Sequence, residues 1–144
     1  MENKDIDILI KELKIFNCEW IYALESFYLN LDDDESIGKI EVAFFSTNRI
    51  NKFKLFEKAQ EISSKLGREV DLNDLKDSSI DFQYDVTTQW NVIFDNNSSK
   101  REEFELDILS RYIDGQLASQ EILDQENSFN DLFFNEQDEN NDSK

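Results

Sequence analysis

Apolar residues recur along the chain at helical spacing in some segments, and between these segments lie short runs rich in strand-forming residues. The helical spacing of three or four residues predicts helices over residues 6–16, 50–66, 79–88 and 104–113. The runs of β-branched and aromatic residues predict strands at 19–24, 39–45, 69–72 and 90–94. This order of elements predicts an α/β (α+β) fold, a small mixed β-sheet flanked by helices.

Turn-forming residues predict where several of these elements end. Asn17 can end the first helix, and Gly67 lies just past the second, where a residue with left-handed backbone commonly stands. The acidic stretch from Asn30 to Ser36 reads as a turn between the first two strands. Ser98 or Ser99 is expected to cap the last helix.

Beyond Gly115 the apolar pattern loosens, which predicts a division of the chain into three parts. A folded domain is expected at 1–116, a helical or docking extension at 117–134, and an acidic, disordered tail at 135–144. The extension contains a cluster of apolar side chains that either packs on the domain or binds a partner: Phe129, Leu132, Phe133 and Phe134.

The charge balance narrows the choice of partners. The chain has 33 Asp and Glu against 15 Lys and Arg, a net charge of −18 at pH 7. Such a surface repels nucleic acids and anionic membranes and attracts a basic protein, although acidity can also serve solubility alone. We therefore expect a protein partner, with no direct nucleic-acid or membrane binding.

Two residue counts limit the chemistry and the location. The chain contains no His, which excludes histidine acid–base catalysis and histidine metal sites. Cys18 is the only cysteine, so no disulfide forms within the chain and an intracellular protein is expected. No signal peptide or run of about 18 apolar residues is present, which favours the cytoplasm.

Three segments, in order, resemble the minimal nucleotidyltransferase domains of the DNA-polymerase-β superfamily that accompany HEPN-type RNase toxins. The segment Glu19-Trp-Ile-Tyr-Ala-Leu-Glu-Ser26 resembles the family's strand ending in Gly-Ser, and Lys39-Ile-Glu-Val-Ala-Phe-Phe-Ser46 resembles its Asp-x-Asp strand. Leu66-Gly-Arg-Glu-Val-Asp-Leu72 is similar to the strand that carries the third carboxylate, and residues 104–114 look like the closing helix. The resemblance covers residues 5–114 and implies a polymerase-β palm-like fold.

In that family the three carboxylates hold Mg²⁺ for transfer of a nucleotide from NTP. Two carboxylates at alternate positions of one strand point to the same face, and a third comes from a neighbouring strand. The Gly-Ser turn lets the backbone approach the triphosphate. Asp71 is the one metal-binding position preserved unchanged, with Glu41 at the second.

The other positions depart from the pattern. Lys39 stands where the first metal carboxylate belongs, and a cation there opposes Mg²⁺ binding. Ser26 survives from the Gly-Ser turn, but Glu25 replaces the glycine and is expected to repel a triphosphate. Leu29-Asn30 replaces the family's Arg-Gly, and about two residues are inserted before Lys39. We hypothesise that Lys39 pairs with Glu41 or Asp71 and fills the former metal site.

These departures favour a catalytically degenerate protein that acts by binding, without cofactor, as the antitoxin of a basic HEPN-type toxin. Ser26, Lys39, Glu41, Asp71 and Glu25 are then remnants of the catalytic and nucleotide-binding site. The alternative is an active transferase that moves AMP from ATP to a protein, with Mg²⁺ on Glu41, Asp71 and a carboxylate from Asp32 to Glu35. A third possibility is a nucleotide sensor that uses Lys39 without a metal. The oligomeric state does not follow from the sequence.

Overall fold

The computed structural model describes the backbone of residues 1–30 and 35–142 and the side chains of residues 1–27 and 38–125. Its helices are α1 (Asn3–Leu13), α2 (Lys52–Leu66), α3 (Ile80–Gln89) and α4 (Ser98–Asp142). Its strands are β1 (Cys18–Asn30), β2 (Glu35–Ser46), β3 (Glu69–Asp74) and β4 (Asn91–Asp95). Single 3-10 turns follow α1 at Lys14–Phe16 and β3 at Leu75–Asp77. The predicted order of helices and strands is confirmed.

The four strands form one sheet in the order β3-β2-β1-β4. β1 pairs antiparallel with β2 and with β4, while β2 pairs parallel with β3. The sheet is therefore mixed, as predicted, and β3 lies at one of its edges. The parallel pair arises because α2 carries the chain back before β3 begins.

The ends of the helices are set by local backbone chemistry. Asn17 follows the first helical segment at φ +50°, and Gly67 follows α2 at φ +66°, where its N–H donates to the Ser63 carbonyl at 2.9 Å. Both predicted helix ends are confirmed. The predicted cap of the last helix is wrong: Asn97 accepts the hydrogen bond from the Lys100 N–H, and Ser98 is already helical.

The hairpin formed by β1 and β2 is longer than the sequence predicts. Pairing continues past residue 24 to the Asn30–Glu35 pair. The predicted acidic turn is therefore wrong at residues 30, 35 and 36, which belong to strands, while its centre at 31–34 lies outside the described residues. Continued cross-strand pairing outweighs the low strand preference of the acidic residues.

The sheet has an apolar core on each face. On one face, Leu9 and Leu13 of α1 and Ile62 of α2 pack against Ile40 and Val42 of β2. On the other face, Val86 and Trp90 pack with Trp20, Tyr22 and Ala43. Trp20 is fully buried and stacks on Phe45, with ring centroids 4.4 Å apart. Successive residues of β1 and β2 alternate between these two cores, which fixes the face of every later residue in the hairpin.

The second helix buries a different stripe from the one that its Phe residues suggest. Ala59 and Ile62 are buried, but Phe53 and Phe56 are 67% and 61% exposed. Apolar residues at repeated steps of three turn steadily around a helix that has 3.6 residues per turn. The Phe side chains therefore leave the face that contacts the sheet.

The C-terminal helix α4 continues through Gly115 to Asp142 without interruption at 116 or 134. The chain divides into two compact units, Met1–Ile108 and Leu109–Lys144. The predicted division into domain, extension and disordered tail stays a prediction, and residues 143–144 and the side chains of Phe129, Leu132, Phe133 and Phe134 lie outside the described part. In that part, no helix combines the length and apolarity needed to cross a membrane.

Candidate functional site

Lys39, Glu41 and Asp71 lie on one face of the sheet, on the adjacent parallel strands β2 and β3. Glu41 is opposite Asp71 in the strand register, and Lys39 is opposite Glu69. The Lys39 ammonium lies 2.7 Å from Asp71 Oδ2 and 3.9 Å from Glu69 Oε1. The predicted ion pair of Lys39 is therefore present, and its partner is Asp71. Glu41 makes no ion pair among the described residues.

The carboxylates around Lys39 raise its pKa above the usual lysine value. The largest cause is the hydrogen bond to Asp71, and the charges of Asp71, Glu69 and Glu41 act in the same direction. The side chains of Lys39 and Asp71 are 26% and 47% exposed, so water screens the pair. Lys39 remains charged at every physiological pH.

Ser26 points to the same face as Lys39, because the two residues are opposite each other across β1 and β2. Neither Ser26 nor Glu25 lies in a turn. Glu25 pairs with Ile40, and the strand continues for four residues beyond Ser26. Their peptide groups belong to a paired strand. The backbone loop that the resemblance requires for a triphosphate is therefore not formed at residues 25 and 26.

The side chain of Glu25 points to the face of the sheet opposite to that of Ser26, and our expectation that Glu25 repels a triphosphate stays a prediction. Its carboxylate lies 2.8 Å from Arg68 Nη2 and 2.9 Å from the amino group of Met1. The hydrogen bond from the amino group is the largest cause of a lowered pKa at Glu25, and Arg68 adds to it, whereas burial acts in the opposite direction. Strand alternation places residues 25 and 26 on different faces.

Arg68 reaches Glu25 by crossing β2 above Gly38. A Cβ at position 38 would lie 2.6 Å from Arg68 Nη2, so a glycine leaves the space that the guanidinium occupies. Arg68 Nη1 also lies 3.5 Å from Asp5 of α1. Arg68 belongs to the Gly-Arg-x-Val-Asp segment, and its pattern in the sequence predicts no role for it. Extending β1 as a strand through Glu25 would have shown the face of Glu25, but the position of Arg68 depends also on the space above Gly38.

The side chains on β2 and β3 do not fit the Mg²⁺ ions that the resemblance implies. A divalent ion needs oxygen ligands converging on one point. Here the Lys39 ammonium lies within hydrogen-bond distance of the Asp71 carboxylate. No group of three or more Asp, Glu, Cys or His side chains in the described residues is arranged to hold a metal.

A groove with a volume of about 470 Å³ adjoins the Lys39–Asp71 pair. Its floor is the outer edge of β3, residues 70–74, and its walls come from α2 and α3. Phe56 of α2 and Phe82 of α3 provide apolar surface on the two walls. Carboxylates line it as well, among them Glu41, Asp71 and Asp77. This groove does not follow from the sequence pattern, because it depends on which helix faces flank β3.

Solved structures with the same arrangement of elements belong to toxin–antitoxin systems. The chain matches the MntA–HepT toxin–antitoxin structure with a TM-score of 0.69 and 25% identity, over 86% of this chain and 97% of that one. A Shewanella oneidensis complex of a tri-AMPylated HEPN toxin with its MNT antitoxin matches with a TM-score of 0.68 and 24% identity, over 87% and 98%. A toxin–antitoxin structure with AMP-PNP matches with a TM-score of 0.68 and 24% identity, over 83% and 96%.

The chain has the minimal-nucleotidyltransferase fold. The resemblance predicted from the sequence motifs, and the nucleotidyltransferase-like fold class, are thereby confirmed. No protein-family model matches the sequence, and no curated protein is significantly similar to it. Within the minimal-nucleotidyltransferase fold, Lys39, Glu41 and Asp71 occupy the strands on which the resemblance places the metal-binding carboxylates.

Proposed function

We propose that this protein is an antitoxin-like partner of a HEPN-type toxin that acts by binding the toxin and not by transferring a nucleotide. The observation that carries the proposal is the ion pair of Lys39 with Asp71, 2.7 Å apart, where the resemblance requires two carboxylates for Mg²⁺. The pairing of Ser26 with Lys39 supports it, because the triphosphate-binding turn is replaced by a strand. In this proposal Ser26, Lys39, Glu41 and Asp71 are vestigial, and the protein works in the cytoplasm without ATP or metal.

The solved complexes suggest the class of partner. The MNT proteins in those structures are antitoxins bound to HEPN toxins. A net charge of −18 suits a partner with a basic surface, since opposite charges accelerate association and favour the correct orientation. Complex formation then accounts for inhibition without any chemical step.

Calorimetry with ATP, in the presence and absence of Mg²⁺, tests the first half of the proposal. We expect no heat of binding from the purified chain in either condition. The second half is tested by mixing the chain with a HEPN-type protein from its own source organism and measuring both complex formation and RNA cleavage. We expect a stable complex and suppressed cleavage without added ATP. Complex formation that requires ATP and Mg²⁺ would overturn the proposal.

The alternative is an active transferase that attaches AMP to its partner. Its supporting observation is that Glu41 lies opposite Asp71 on the same face and makes no ion pair among the described residues, which leaves a carboxylate for a metal. One of the matching complexes contains an AMPylated toxin. A mass increase of the HEPN-type protein by one AMP after incubation with ATP, Mg²⁺ and this chain would establish the alternative.

A further inference from the structure

We propose that the edge of β3 is the docking site of the partner, which adds an extended segment with alternating apolar and basic side chains as a fifth strand. The inference rests on the proposed function, because it takes the partner to be a basic HEPN-type protein. It goes further by naming the surface and the binding mode. Addition of a strand to an open sheet edge is a common way of binding an extended segment.

The backbone of β3 is open toward the groove at its centre. The Val70 N–H donates to Ser63 Oγ of α2 at 3.0 Å and therefore points away from β2. Peptide groups two residues apart in a strand point the same way, so the N–H and C=O of Leu72 also point outward. In the described part of the chain, no hydrogen bond from either flanking helix reaches Leu72. At the far end, the Asp74 carbonyl accepts from Ser78 Oγ at 2.9 Å, which closes the edge.

The walls of the groove provide apolar contacts on both sides of this open edge. Phe56 is 61% exposed and lies on the α2 wall, and the partly buried Phe82 lies on the α3 wall. An added strand presents successive side chains to opposite faces of the sheet. One face of the partner segment would therefore contact Phe56 and the other Phe82, with the backbone held at Leu72.

Charge selects a basic segment over an acidic one. Glu41, Asp71 and Asp77 line the groove, and neither Glu41 nor Asp77 is in an ion pair among the described residues. Lys52 is the basic residue of the lining. Lys or Arg side chains of a partner would gain carboxylate neighbours there, while an acidic segment would meet like charge.

The chain offers matched controls for both contributions. Phe53 and Phe56 are on the same helix and are 67% and 61% exposed, but Phe53 does not line the groove. Asp77 lines the groove, whereas Asp81 of α3 is similarly exposed and does not. F56E and D77K are the test variants, and F53E and D81K are their controls. Since all four side chains are exposed, the folded state should tolerate each change.

The experiment measures the affinity of the HEPN-type protein for these variants, with thermal unfolding of each to confirm folding. We expect F56E and D77K each to weaken binding by at least about tenfold, equivalent to about 1.4 kcal/mol, and F53E and D81K to bind as the wild type does. Amide hydrogen exchange should slow at Leu72 in the complex and change less at Val70, whose N–H already has a partner.

The outcomes separate the two proposals. Wild-type binding with no difference between F56E and F53E would overturn the docking site and leave the proposed function intact. Weakened binding by F56E without protection of the Leu72 amide would overturn strand addition. Failure of the wild-type chain to bind the HEPN-type protein would overturn the proposed function, and the docking site with it.

Discussion

Lys39 and Asp71 join two parallel strands through an ion pair of 2.7 Å, at a position where the resemblance predicts two acidic side chains. Within this pair, Lys39 places one positive charge among the carboxylates of Asp71, Glu69 and Glu41. Both side chains are partly exposed, and such pairs contribute little to stability. Its main effect is therefore on what the site can bind.

Replacing Lys39 with Asp should create a divalent-cation site in place of the ion pair. The new carboxylate at position 39 would lie beside those of Glu41 and Asp71, and their mutual repulsion should lower the melting temperature in the absence of metal. Mg²⁺ should restore it, because a ligand that binds only the folded state stabilises that state. A gain of about 1 kcal/mol corresponds to roughly 2–4 °C for a chain of this size.

The measurement is thermal unfolding of wild type and K39D with and without Mg²⁺. K54D, which changes an exposed lysine of α2, is the control for the change in net charge. Wild type and K54D should not respond to Mg²⁺. Equal responses in all three proteins would show that the carboxylates around position 39 do not converge on a cation.

The stability due to the Lys39 ion pair should be lost at alkaline pH. The folded-state pKa of Lys39 is raised, chiefly by its hydrogen bond to Asp71, so this contribution is complete below the unfolded-state pKa of about 10.4. It disappears as the pH rises through the folded-state pKa. Because the pair is exposed, we expect K39M to cost less than about 1 kcal/mol at pH 7. Urea unfolding at pH 7 to 11 should show the two proteins converging at the alkaline end. A constant difference across that range would contradict this account.

A second ion-pair cluster joins α1 to α2, and its contribution to stability should be lost in acid. Glu12 Oε2 lies 3.1 Å from Lys58 Nζ, and Glu12 Oε1 accepts from Lys65. The hydrogen bond from Lys65 and then that from Lys58 lower the pKa of Glu12. Its contribution is therefore present above the unfolded-state pKa of about 4.3 and is lost as the pH falls through the folded-state value.

Replacing Glu12 with Gln tests this contribution. E12Q should lower the free energy of unfolding by about 0.5–1 kcal/mol at pH 7, as expected for a partly exposed ion pair. The difference should shrink as the pH falls below the unfolded-state pKa of about 4.3 and vanish once the wild-type carboxylate is protonated in the folded state. Urea unfolding at several pH values measures it, with E57Q on the exposed side of α2 as the control. A difference that persists unchanged in acid would assign the effect to packing.

The buried Tyr22 hydroxyl should contribute measurably to stability, because it is hydrogen-bonded to Glu105 in the first turns of α4. It donates to Glu105 Oε1 at 2.7 Å, and Arg101 donates to the same oxygen at 2.8 Å and to Asp95. Y22F keeps the ring but removes the donor, so we expect a loss of about 1 kcal/mol in urea unfolding with an unchanged m-value. An altered m-value would indicate that the change reaches beyond this hydrogen bond.

The sequence predicted the elements better than it predicted where the hairpin ends. Asn17 and Gly67 ended helices as expected, because a left-handed backbone at these residue types is a local property. The extension of β1 past Ser26 depends instead on pairing with β2, and residues that favour turns when considered alone are held there by partners across the sheet. Local preference carries no information about such partners.

The site shows the same division between local and long-range information. A pairing of Lys39 with Glu41 or Asp71 followed from the sequence once the motifs had been aligned, and the structure shows that the partner is Asp71. The contact of Arg68 with Glu25 required knowing that β1 continues as a strand and that Gly38 leaves room above β2. The exposure of Phe56 required counting helical turns from Ile62 rather than following steps of three.

The uninterrupted pairing of β1 past Ser26 also bears on how such a protein changes over generations. A carboxylate can be introduced at position 39 by one substitution, but residues 25 and 26 are held by a hairpin that runs from Cys18 to Ser46. A phosphate-binding turn at residues 25 and 26 would break the cross-strand pairs that these residues make with Ile40 and Lys39. A single substitution that restores a carboxylate at position 39 would therefore leave residues 25 and 26 in a paired strand.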